Sequence, residues 1–144
     1  MGLIRLGNKP PLAVAPDNSV TQVALAMTHR KVGAATVLEK DAVVGVITER
    51  DVMGKVVAVR RDPDTTYVRD IMSSPALCVG LRTSVADAAE MMRKHHIRHL
   101  VVLDDNKKLA GMLALRYLLY ELMDDMNRNV GDLVGFIMSD APGG

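Results

Sequence analysis

The chain has 144 residues, 49% of them hydrophobic and 24% charged, a composition that supports a packed core and is not that of a disordered protein. With 18 basic against 17 acidic residues and only four aromatics (Tyr67, Tyr117, Tyr120, Phe136), it offers nucleic acid neither a basic field nor a stacking platform. Cys78 is the single cysteine, no apolar run approaches the ~18–20 residues of a bilayer span, and Met1 to Pro11 lacks signal-peptide features. The expectation is a soluble, cytoplasmic chain with no membrane contact.

The elements then come in a repeated order. An extended segment, Leu12–Ala15, is followed by a turn at Pro16-Asp17-Asn18. Ser19 is placed to cap a helix whose apolar periodicity runs through Val20, Val23, Ala24 and Met27, with Gln22 completing a capping box. Two strands, Ala35–Leu38 and Val43–Ile47, flank the charged turn Glu39-Lys40-Asp41. A second helix begins near Arg50, and Arg60-Arg61-Asp62-Pro63-Asp64 reads as the linker.

The same order returns about 65 residues later. Ala76–Val79 is extended, Gly80-Leu81-Arg82 turns, and Ser84 caps a helix through Val85, Ala88, Ala89 and Met92, with Asp87 favouring its dipole. Strands Leu100–Leu103 and Leu109–Leu113 flank Asp104-Asp105-Asn106-Lys107, and a last helix begins near Leu115. Val32 aligns with Ile97 and Val37 with Val102; one inserted residue later, Gly45-Val46-Ile47 aligns with Gly111-Met112-Leu113. Near-continuous apolar strands suggest sheets covered on both faces. Neither half, at about 60 residues, buries much surface alone, so packing about a pseudo-twofold axis is expected. The fold class is α+β: tandem β-α-β-β-α repeats over residues 8–60 and 68–126, with a C-terminal helical extension over 127–144.

Within Gly45-Val46-Ile47-Thr48-Glu49-Arg50-Asp51, Gly45 permits close backbone approach, and Thr48 stands where unpaired amides favour an anion. Asp51 shares its face, and a carboxylate suits the cis hydroxyls of a ribose. The plainer alternative is a helix cap made by Thr48 and Asp51, which does not exclude binding.

This stretch resembles the nucleotide signature of CBS domains, and Val68-Arg69-Asp70-Ile71-Met72-Ser73-Ser74-Pro75 resembles the lead-in that opens one. The resemblance implies a regulatory pair of CBS domains that binds AMP, ADP or ATP as a regulatory ligand, catalyses nothing and signals to a partner protein. It implies that the Thr48/Asp51 site is completed by the other repeat, with Leu77, Cys78, Ile97 and Val101 near the adenine. Phosphates would then point toward Arg98 and His99, with Arg116 or Arg50 as a further cation. The second repeat departs from the pattern. Ala114 and Tyr117 replace the Thr and Asp, and the facing Val32-Gly33-Ala34 carries no charge, so this second site is expected to be degenerate.

Other features have plainer readings. His95, His96 and His99 lack an acidic or thiol partner, so no metal is expected. Cys78 reads as a buried, inert strand residue. Leu115, Leu118, Leu119, Leu122, Met123 and Met126, then Val130, Leu133, Val134, Ile137 and Met138, form two apolar runs that either cover their own sheets or make a homodimer. A ligand-free dimerisation module is the alternative function.

Overall fold

A computed structural model describes residues 2–6 and 10–129 of the chain. The apolar run from Val130 to Met138, and residues 130–144 of the expected C-terminal extension, lie outside the described residues.

The first half forms a three-stranded sheet from β1 (Ala13–Val14), β2 (Ala34–Glu39) and β3 (Ala42–Thr48). β1 runs parallel to β2, and β3 runs antiparallel to it. The parallel crossover is made by α1 (Val20–Arg30). Its Ser19 Oγ accepts from Gln22 N at 3.1 Å while Gln22 Oε1 accepts from Ser19 N at 2.9 Å, so two otherwise orphaned amides are satisfied. Lys31, left-handed at φ 56°, ends the helix. Lys40 and Asp41 both adopt positive φ, the backbone of a two-residue hairpin whose twist matches its strands.

β3 leads directly into α2 (Glu49–Val52), which widens over Met53–Val57 into a turn with Ala58 N bonded to Met53 O. A short α3 (Val68–Ile71) precedes the second half. There β4 (Cys78–Gly80), β5 (His99–Leu103) and β6 (Leu109–Ala114) repeat the parallel-antiparallel sheet. α4 (Val85–His95) makes the crossover and α5 (Leu115–Asn129) follows β6. Ser84 caps α4 by accepting from Asp87 N at 3.1 Å.

The lead-ins pack crosswise. Val68 and Ile71 precede the second sheet in sequence, yet they join the core of the first, with Val20, Val23, Val37 and Ile47. Val20 N donates to Thr66 O, and Val46 and Ser73 exchange two backbone hydrogen bonds at 2.9–3.0 Å. Ile4 at the other end of the chain joins the second core, with Val85, Met92, Leu100 and Leu118. There Val85 N donates to Gly2 O, and Ile4 N donates to Thr83 O. Burying each such aliphatic side chain contributes roughly 1.5–3 kcal/mol, so each repeat borrows part of its core from the other's lead-in. Gly45 is explained by this exchange: a β-carbon there would lie 2.8 Å from Ser73 O.

Alternate residues of the central strands point to opposite faces. Ala35 and Val37 of β2 enter the first core, and Leu100 and Val102 of β5 enter the second. Thr36 and Val101, 65 residues apart, lie on the opposite faces and are both fully buried. The sheets are thus covered on both sides.

Candidate functional site

Thr48 is the last residue of β3 and caps α2. Its Oγ1 accepts from Asp51 N at 3.2 Å, while Asp51 Oδ2 accepts from Thr48 N at 2.9 Å and from Thr48 Oγ1 at 3.1 Å. The cap read from the sequence therefore exists. Asp51 is only 9% exposed, and its other oxygen, Oδ1, pairs with Lys55 Nζ at 3.0 Å. Lys55 also donates to Ile71 O at 2.9 Å, tying α2 to the lead-in. Lys55 was not among the expected site residues, although its spacing of four from Asp51 on a helix was a visible signal.

Most of the other residues expected at this site lie on β4 and β5 or on the segments leading into them. Cys78 pairs in register with Val101, whose N donates to Leu77 O at 3.1 Å. Val101 is buried, Leu77 and Ile97 are half-buried, and Arg98 is exposed where β5 begins. Cys78 is half-buried rather than buried, because it opens a three-residue edge strand; burial still pushes its thiol pKa up. Its Sγ lies 3.5 Å from Ala76 O. Arg50 and Arg116 are exposed on the first turns of α2 and α5.

His99 joins the two halves electrostatically. Burial lowers its pKa, Glu49 of the first repeat pushes it up, and Arg98 pushes it down. Glu49, a neighbour of Thr48, thus acts electrostatically on His99 of the other repeat. It occupies an unspecified position of the signature, so the motif gave no sign of it.

The residues expected at the degenerate site interleave with these. Ala34 pairs in register with Thr48, and Ala114 pairs with His99. Gly33 O accepts from Glu49 N at 3.0 Å, and Arg98 O accepts from Leu115 N at 2.8 Å. A β-carbon on Gly33 would stand 3.1 Å from Glu49 Oε1, so the glutamate occupies the space a larger residue would take. Val32 and Tyr117 are exposed, Tyr117 strongly so. Each strand end therefore pairs one residue expected at the first site with one expected at the second. Among the described residues, no group of three His, Cys, Asp or Glu side chains is placed to hold a metal, and His95 and His96 are exposed at the end of α4. No described helix is long and apolar enough to cross a membrane.

Two successive sheets of one topology, each followed directly by a helix, match the CBS domain family model over residues 5–58 and 68–124. The chain belongs to the CBS domain family. Its two CBS domains are similar to the Methanopyrus kandleri protein MK0525, at 36% identity over 106 residues. That match covers 73% of this chain and 54% of the relative, so the chain spans about half the length of that protein. A structure of a protein with CBS domains from Burkholderia ambifaria superposes with a TM-score of 0.77 at 29% identity, covering 83% of this chain and 86% of that one. The CBS domain protein PAE2072 from Pyrobaculum aerophilum, solved in complex with AMP, gives 0.71 at 33% identity, covering 81% of this chain and 93% of its own. The CBS lead-in is also where the sequence reading was incomplete. Leu3-Ile4-Arg5-Leu6 plays for the second domain the part that Tyr67 to Met72 plays for the first, and its shortness hid it.

Proposed function

We propose that this CBS pair is a cytoplasmic regulatory module that binds an adenine nucleotide, AMP, ADP or ATP, between its repeats and signals to a partner protein without catalysis. The observation that carries this reading is the buried Asp51 carboxylate, capped by the half-buried Thr48, next to Glu49, whose charge acts on His99 beside Arg98. A buried carboxylate suits ribose hydroxyls, and a guanidinium with an adjacent imidazole suits phosphate. The AMP held by the Pyrobaculum aerophilum protein supports the same ligand class. The energy for signalling is the ligand's difference in affinity between two arrangements of the repeats.

The engagement of both Asp51 oxygens inside the protein favours a second reading, a ligand-free dimerisation module. Thermal unfolding with and without nucleotide separates the two. Nucleotide at 100 times its Kd stabilises a binding protein by about 2.7 kcal/mol. Asp51→Ala is expected to lose that gain, and to lose about 1 kcal/mol of intrinsic stability with the cap. Equal nucleotide-induced shifts in both proteins would remove the ribose assignment, and no shift in the wild type would leave the dimerisation module.

A further inference from the structure

The reach of Lys55 has a consequence for the same site, and it rests on the ribose reading of Asp51. Each carboxylate oxygen has two acceptor positions. Oδ2 has both filled, by Thr48 N and Thr48 Oγ1. Oδ1 has one filled, by the Lys55 ammonium at 3.0 Å. One acceptor position therefore remains for a ligand, whereas a ribose presents two cis hydroxyls. Both are satisfied only when Lys55 leaves. Its side chain is 48% exposed, so a path to solvent is open, whereas Asp51 is buried and fixed by the cap.

Leaving has a second effect. The same ammonium donates to Ile71 O, the last carbonyl of α3, where helix carbonyls lack internal partners. Ile71 is buried in the first core, and the chain two residues on is bonded to Val46 in β3. Displacement of Lys55 thus frees the end of the lead-in that connects the domains.

We propose that Lys55 is a displaceable gate on the ribose acceptor, closed by its ion pair with Asp51 and coupled through Ile71 to the lead-in of the second domain. Ligands with two cis hydroxyls open it, and ligands with one do not.

The test compares adenosine with 2′-deoxyadenosine by calorimetry, since neither carries a phosphate that would respond to the loss of a nearby cation. Lys55→Met keeps the apolar stem and removes the ammonium. Adenosine is expected to bind about tenfold more tightly to it than to the wild type, the scale of one charge-assisted hydrogen bond, while 2′-deoxyadenosine stays unchanged. Lys55→Arg, with a forked donor that holds carboxylate more firmly, is expected to weaken adenosine alone. A general structural role for Lys55 would move both nucleosides together, and that result would overturn the gate. Hydrogen exchange supplies the coupling readout. Adenosine should speed exchange at the Met72 and Ser73 amides of the wild type, and in Lys55→Met these should be fast without ligand. Exchange there that is indifferent to both ligand and substitution would overturn the coupling. Adenosine binding to neither protein would instead overturn the ribose reading, and the gate with it.

Discussion

Glu49 of the first domain and His99 of the second interact across the repeats, the carboxylate favouring the imidazolium that burial and Arg98 disfavour. The net effect lowers the His99 pKa below its ordinary ~6.5, so the unfolded chain takes up a proton before the folded one does. The stability that His99 leaves in place above about pH 6.5 is therefore lost as pH falls through the lower folded-state pKa. Thermal melts from pH 8 to 5 should show this decline. Glu49→Gln removes the charge that opposes it and should steepen it, and His99→Ala should flatten it. A decline indifferent to both substitutions would place its origin elsewhere.

The asymmetry of the repeats gives a stoichiometry. In the proposed site the Thr48/Asp51 acceptor is completed by Arg98 and His99, whereas the second signature has Ala114 and Tyr117 in place of the Thr and Asp and so lacks a ribose acceptor. One nucleotide per chain is expected in calorimetry. Arg98→Ala should weaken AMP about tenfold, the loss of one charge-assisted contact, and adenosine much less. Ala114→Thr should change little. Two equivalent nucleotides per chain would contradict the assignment.

Assembly is expected to use the outer faces of α2 and α5. Met53 and Leu119 stand at equivalent places in the two repeats, and are 63% and 47% exposed. Val57, Tyr117 and Tyr120 are exposed near them in sequence. A patch repeated about the pseudo-twofold axis suits a second copy of the chain. Sedimentation should report about twice 15.6 kDa, and Met53→Glu with Leu119→Glu should halve it. A monomeric wild type at micromolar concentration would refute the dimer.

Thr36 is fully buried, and its hydroxyl has no hydrogen-bond partner among the described residues. An unpaired buried hydroxyl costs about 1–3 kcal/mol, while a methyl in its place costs nothing in solvation. The equivalent position in the second domain is already Val101. Thr36→Val should therefore raise stability by about 1 kcal/mol in denaturant unfolding; a loss of that size would mean that the hydroxyl is bonded in solution.

Local chemistry was legible from the residues alone. Ser19 with Gln22, and Thr48 with Asp51, form their caps within four residues of chain, so spacing by itself dictates the partners. The strands were found within one or two residues because their apolar runs end at charged turns and because each pattern occurs twice. The crosswise lead-ins were decided only by tertiary structure. Ile4 and Val68 are apolar residues in short segments without periodicity, and which core buries them depends on where the chain passes between the sheets. The same holds for the electrostatic interaction of Glu49 with His99, 50 residues apart, and for the burial of Thr36, whose neighbours in sequence say nothing of what covers its far face. Short-range hydrogen bonding is written into spacing; long-range burial and electrostatics appear only when the two repeats are packed together.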